Sequence, residues 1–216
     1  MSPVLELLLA DSRTPSGGYA HSGGLEAAVG EGLAVSGVPA FVQARLLTVG
    51  RVEAAIAALA AEAATLDALL DLDQELAART PAEPLRRASR QLGLGLLRTA
   101  CSWWPEDRLL ASYHTTSVLT PRPVALGAVA RCAGLSALDA ARLCLYDDAA
   151  TVAAAAVKLL PLDAAQASGW LVALAEQIEE LAGAAAAGGL PPGAATPLLD
   201  RRAMLHDASR RRLFVS

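Results

Sequence analysis

Alanine and leucine recur along this chain with little to interrupt them, and that monotony limits the folds open to it. Alanine is the strongest helix former and leucine stands close behind. The run from Ala149 to Val157, AATVAAAAV, is representative. Hydrophobic residues fill 54% of the 216 positions but aromatic ones only 4%, so the core must be assembled from Ala, Leu and Val. Isoleucine occurs only at Ile56 and Ile178, and β-branched runs are scarce, which disfavours a sheet. The length fits one domain with a sizeable core. The expectation is an all-α, compact single-domain helical bundle of about eight to nine helices with a C-terminal tail segment.

Periodicity and punctuation divide the chain further. Val4, Leu5, Leu8 and Leu9 begin a helical pattern that stops at the Pro15–Gly18 bend. A helix starts near Ser22, whose hydroxyl is placed to cap the backbone donors of Gly24, Leu25 and Glu26, and it ends between Gly30 and Gly37. Pro39 suits the first turn of a long helix over 38–64. Phe41, Leu46, Val49, Val52, Ile56 and Leu59 lie near one face of it. Further helices are predicted over 66–78, 85–103, 121–133, 136–160 and 164–187, with 104–120 read as a short polar segment. Ser136 and Asp139 make a capping-box variant. Gly93 and Gly95 cost roughly 1 kcal/mol each against alanine within their helix, and their use is close helix approach rather than phosphate binding. Residues 188–196 are a Gly/Pro linker by composition, leaving 1–187 as the helical domain and 197–216 as a C-terminal segment.

Several function classes fall away on composition. The formal charge of −4 leaves no electrostatic footprint for nucleic acid. Cys101, Cys132 and Cys144 lack CxxC spacing and suit reduced cytoplasmic thiols. The first residues, MSPVLELLLADS, have an acid inside the apolar run and no basic start, unlike a signal peptide. The longest uncharged stretch, 181–199, is broken by Gly188, Gly189, Pro191, Pro192, Gly193 and Pro197, so no membrane helix is expected. His21, His114 and His206 are isolated from one another and from the cysteines, so no metal site of the chain's own and no cofactor are expected. His21 and Ser22 with Asp11 suggest a small hydrolase, but no nucleophile elbow surrounds the serine; there Ser22 caps a helix and His21 bonds the bend. The arginine-rich end suggests a nucleic-acid regulator, which lacks a recognition-helix unit.

Two polar segments stand out against the Ala/Leu background. Leu8 to Val29, LLADSRTPSGGYAHSGGLEAAV, sets four glycines, a proline, a tyrosine and a histidine between apolar helical segments. Pro197 to Ser216, PLLDRRAMLHDASRRRLFVS, carries five arginines and a second histidine. Glu26 sits in a first helical turn, where the macrodipole favours a carboxylate. Lys158 is the single lysine beside seventeen arginines, and it ends an apolar run where a compact ammonium serves differently from a guanidinium.

These segments, with Ala88-Ser89-Arg90-Gln91-Leu92-Gly93 and Val157-Lys158-Leu159-Leu160-Pro161-Leu162, resemble the signature stretches of the urease accessory protein UreF family. The chain departs from the family's pattern at Asp163-Ala164, at Arg210 and Val215 near the end, and at Pro84 and Arg87. The resemblance implies a non-enzymatic, all-helical, cytoplasmic homodimer. It would bridge the accessory protein UreD, also called UreH, and the GTPase UreG, and take part in nickel delivery to apo-urease. It also implies partner-binding roles. Glu26 and Lys158 would lie on a polar face met by the GTPase. Tyr19, His21 and Ser22 would shape the element facing UreD/UreH. His206, Arg212, Leu213 and Phe214 would belong to a docking tail that orders on complex formation, with Leu213 and Phe214 as apolar anchors. Such a tail should be protease-sensitive in the free protein.

Overall fold

A computed structural model of the chain describes residues 3–11, 13–15, 18–190, 193, 196–207 and 213–214. All regular secondary structure among the described residues is helical, with no strand. The helices are α1 (Pro3–Ala10), α2 (Leu25–Gly30), α3 (Val38–Arg45), α4 (Arg51–Glu62), α5 (Leu66–Arg79), α6 (Glu83–Trp103), α7 (Arg108–Thr116), α8 (Arg122–Cys132), α9 (Ala137–Leu159), α10 (Ala164–Ala186) and α11 (Pro197–Asp207). A π-helical turn, Leu46–Gly50, joins α3 to α4 without a break, so the described residues make ten helices, slightly more than expected. Among them no single helix is long and apolar enough to cross a membrane.

The centre of the bundle is α4, which packs against α8, α9 and α10, while α6 covers α8 and α10 lies along α9. Eight residues of α4 and eight of α8 are buried, most of them alanine or valine. With side chains this small, the core closes only if the backbones come near one another. At Gly127 of α8 a Cβ would fall 2.3 Å from the Ala57 carbonyl oxygen and 2.6 Å from the Ala60 Cβ on α4. Gly93 of α6 is equally confined, but by a loop: its Cβ would fall 2.1 Å from the carbonyl oxygen of Thr120. Gly127→Ala is therefore expected to destabilise the fold by about 1–3 kcal/mol through overpacking, although alanine is the better helix former. A urea midpoint equal to that of the parent chain would show that the two backbones are not in contact.

Helix starts follow the side chains available to cap them. Ser136 Oγ accepts from the Asp139 amide at 3.2 Å and Asp139 Oδ2 accepts from the Ser136 amide at 2.9 Å, completing the expected capping box. Asp163, a departure from the family pattern, caps α10 by accepting from the Ala165 amide at 2.7 Å. The expected polar segment at 104–120 is instead helical over Arg108–Thr116. Asp107 caps that helix, its Oδ1 accepting from the Leu110 amide at 2.8 Å, and Leu110 and Tyr113, one turn apart, are fully buried. The Tyr113 hydroxyl donates to Asp73 at 2.6 Å, tying α7 to α5. Residues 197–207 of the C-terminal segment form α11, which packs on α2 and α6.

Candidate partner-binding site

The two polar segments that the sequence singled out come together, and a pair of glycines sets the geometry. Gly23 and Gly24 have φ of 60° and 82°, a left-handed backbone that favours residues without a Cβ. A side chain at Gly23 would also meet Val152 Cγ2 of α9 at 2.9 Å. The turn starts α2 at Leu25, slightly later than expected. The capping expected of Ser22 is realised at one donor, the Glu26 amide, whose bond to Ser22 Oγ is 3.3 Å.

Glu26 then becomes the meeting point of the chain's two ends. Its Oε1 accepts from the Leu213 amide at 2.6 Å and its Oε2 from the Phe214 amide at 2.9 Å. The His206 Nε2 lies 2.9 Å from the same Oε2. Burial pushes the Glu26 pKa upward, but the two amides and His206 outweigh it and hold the carboxyl below its ordinary range. Lys158, in the last turn of α9, donates to the Tyr19 carbonyl at 3.3 Å. Its Nζ also lies 5.3 Å from the centroid of the Phe214 ring, within cation–π range. Phe214 is only 3% exposed in this arrangement, so its ring fills a site on its own chain. Tyr19 and Leu213 are 77% and 65% exposed and form the apolar rim of the assembly. Arg212, Arg210 and Val215 lie outside the described residues.

His21 and Ser22 are buried beneath this surface. Burial first, and the Arg122 charge second, hold the His21 pKa below its usual value. The hydrolase alternative finds little support in this geometry. Ser22 is inaccessible, its oxygen engaged by an amide, and the Asp11 carboxylate is bonded to the Arg13 guanidinium at 2.9 Å. Arg201 and Arg202, read as part of a basic end, are both paired with Glu31 at 3.0 and 2.8 Å. Of the departures from the family pattern, Pro84 stands in the first turn of α6, and Arg87 bridges Glu83 at 2.7 Å and Asp207 at 2.6 Å.

Below the N-terminal element lies a cavity of about 470 Å³ with several charged side chains in an otherwise largely apolar wall, which sequence reasoning missed. Arg45, the last residue of α3, reaches from its wall to donate from Nη1 to the Gly23 carbonyl at 2.8 Å. Asp148 of α9 holds the same guanidinium through two bonds, one of 3.2 Å from Nε. Arg122 pairs with Asp147 at 3.0 Å. Glu53 also lines the cavity, its pKa pushed up to about 7 by burial and by Asp148, against the pull of Arg45 and Arg122. The signal lay in the isolated charges of otherwise apolar helices, Glu53 in VEAAIAALAA and Asp147-Asp148 after LCLY. No group of three or more His, Cys, Asp or Glu side chains placed to hold a metal ion occurs among the described residues.

Comparison with known proteins gives the constellation its family. Residues 35–175 match the family model for UreF. The chain is 40% identical over 212 residues to the urease accessory protein UreF of Mycobacterium sp. strain JLS, covering 97% of each chain. It is 40% identical over 215 residues to the UreF of Mycobacterium bovis strain BCG Pasteur, and 39% identical over 216 residues to that of Mycobacterium marinum, with 97% of each chain covered in both cases. The chain therefore belongs to the UreF family of urease accessory proteins, and it is an accessory protein rather than an enzyme.

Proposed function

We propose that the protein is an adaptor of urease maturation, which as a cytoplasmic homodimer bridges UreD/UreH and the GTPase UreG during nickel delivery to apo-urease. Nickel is the cargo of the assembly, and the adaptor brings no cofactor of its own. Its contacts are with proteins rather than nucleic acid or membrane. Control of the GTPase requires different affinities for its nucleotide states, since tight binding alone shifts no equilibrium. The observation that carries this reading is the convergence on Glu26 of a family-like N-terminal element and the chain's C-terminal residues. Together they present Tyr19, Leu213 and Lys158 on one surface. In this reading Glu26 and Lys158 face the GTPase, His206, Arg212, Leu213 and Phe214 form the docking segment, and Tyr19 lies at the UreD/UreH contact. His21 and Ser22 support that contact from below.

The test is co-elution with the cognate UreD/UreH and UreG on a sizing column, using the full chain, a form ending at Thr196, and full-length Glu26→Gln. The full chain is expected to form a defined complex and the shortened form none. The amide keeps the size of the carboxylate but loses its charge, weakening hydrogen bonds that in charged form contribute about 1.5–3 kcal/mol each. Glu26→Gln should therefore lower affinity at least tenfold. Failure of the full chain to bind either protein would overturn the adaptor reading. Undiminished binding by Glu26→Gln would remove Glu26 from the site.

A further inference from the structure

α11 forms part of the wall of the 470 Å³ cavity, where Thr196, Leu199 and Asp200 join Arg45, Glu53 and Cys144 in the lining. It is attached in an unusual way for a structural wall. None of its residues is buried, and Leu198, Met204 and Leu205 are 51%, 55% and 57% exposed. Within the helix its attachments to the body are dominated by charge, and the apolar anchor comes only after it, at Phe214, which is 3% exposed and bonded through its amide to Glu26. Glu31, at the end of α2, takes Arg201 on one oxygen and Arg202 on the other. Asp207 takes Arg87 at 2.6 Å, and His206 meets Glu26 at 2.9 Å. The pairs made by Glu31 and Asp207 are partly exposed, and such pairs contribute little individually and weaken as salt screens them. The His206 and Glu26 side chains, by contrast, are only 9% and 16% exposed. Between α10 and α11 stand Gly188 and Gly189, with φ of 97° and 92° and open space where a side chain would project. By contrast α10, on the other side of those glycines, sinks Ala167, Ile178, Ala182 and Ala185 into the core.

We infer that α11 is a salt-sensitive lid, which swings off α2 and α6 as a unit while the bundle stays folded, and so opens the charged cavity to small solutes. Elements with few buried apolar contacts are the ones that open locally at low free energy. Glu31 is the pin of the device, because one carboxylate carries two of the lid's arginines. The inference stands apart from the adaptor reading, since it concerns the cavity and needs no partner protein.

Cys144 reports the opening. It lines the cavity and is only 4% exposed, whereas Cys101 is half-buried outside that lining. The purified full-length protein would be treated with methyl methanethiosulfonate at pH 8 in 0.05 M and 1 M sodium chloride. Peptide mass spectrometry would follow Cys144, with Cys101 as the control for reagent reactivity. High salt is expected to speed Cys144 labelling at least fivefold relative to Cys101. Glu31→Gln should give the fast rate already at low salt, and Glu31→Arg combined with Arg201→Glu and Arg202→Glu should restore the slow one. Amide exchange should rise in α11 and stay constant in α4. Labelling indifferent to both salt and Glu31→Gln would overturn the lid. So would faster labelling with α4 exchange rising in step, since that is opening of the whole bundle.

Discussion

Asp148→Asn is expected to lower the unfolding free energy by about 3–5 kcal/mol at pH 6, the usual loss when one partner of a buried ion pair is removed. The Arg45 and Asp148 side chains are each only 11% exposed. The substitution leaves a guanidinium largely out of water with its Gly23 carbonyl contact and no anion bonded to it. The loss should be smaller at pH 9. Asp148 is one of the causes that keep Glu53 protonated. With that negative charge gone, Glu53 ionises more readily and stands in for it beside Arg45. Urea unfolding at the two pH values measures both effects. A loss below about 1 kcal/mol at pH 6 would mean that Arg45 is adequately solvated from the cavity, and the same large loss at both pH values would mean that Glu53 does not stand in for the missing charge. A second consequence lies at the surface. Arg45 holds the Gly23 carbonyl, and Gly23 begins the turn that presents Glu26. Asp148→Asn is therefore expected to weaken co-elution with UreD/UreH or UreG under conditions where the variant remains folded.

The helical fold was legible because its causes are local. The capping box at Ser136 and Asp139, the proline in the first turn of α3 and the Ala/Leu background all act within a few residues. α7 escaped because its polar residues outnumber the two that matter, Leu110 and Tyr113, in a helix packed against α5, α6 and α8. The π turn at 46–50 was also hidden, since it keeps the run of apolar residues that an α-helix would have. For the site, resemblance pointed to Glu26, Lys158, His206, Leu213 and Phe214, but no spacing rule joins Glu26 to residues some 180 positions away. The arginine and carboxylates beneath them had no motif at all. A charge in an apolar helix ordinarily marks the solvated face, and only the packing of α4 against α8 and α9 turns Glu53 inward.

Glu53→Gln is expected to stabilise the protein, with a pH dependence whose sign is fixed by the carboxyl's environment. The folded state holds the Glu53 proton up to about pH 7, against an ordinary value of 4.5, with burial as the main cause and Asp148 the second. The folded chain therefore binds more protons than the unfolded one between those values, and stability falls as pH rises through that window. At about 1.4 kcal/mol for each pH unit between the two values, the loss approaches ~3 kcal/mol by pH 8. Glutamine keeps the shape and never ionises, so the variant should match the parent near pH 4.5 and exceed it by about 2–3 kcal/mol at pH 8. Chemical denaturation across that range would decide the matter. A difference that stays flat with pH would show that Glu53 titrates normally. A variant less stable at pH 8 would show that Arg45 and Arg122 welcome the charged form. The two substitutions should also be coupled, because each changes the charge that the other residue faces. In the Asp148→Asn background Glu53 becomes the remaining anion near Arg45, and there Glu53→Gln should destabilise at pH 8. That reversal of sign is the signature of one shared guanidinium beneath the N-terminal turn.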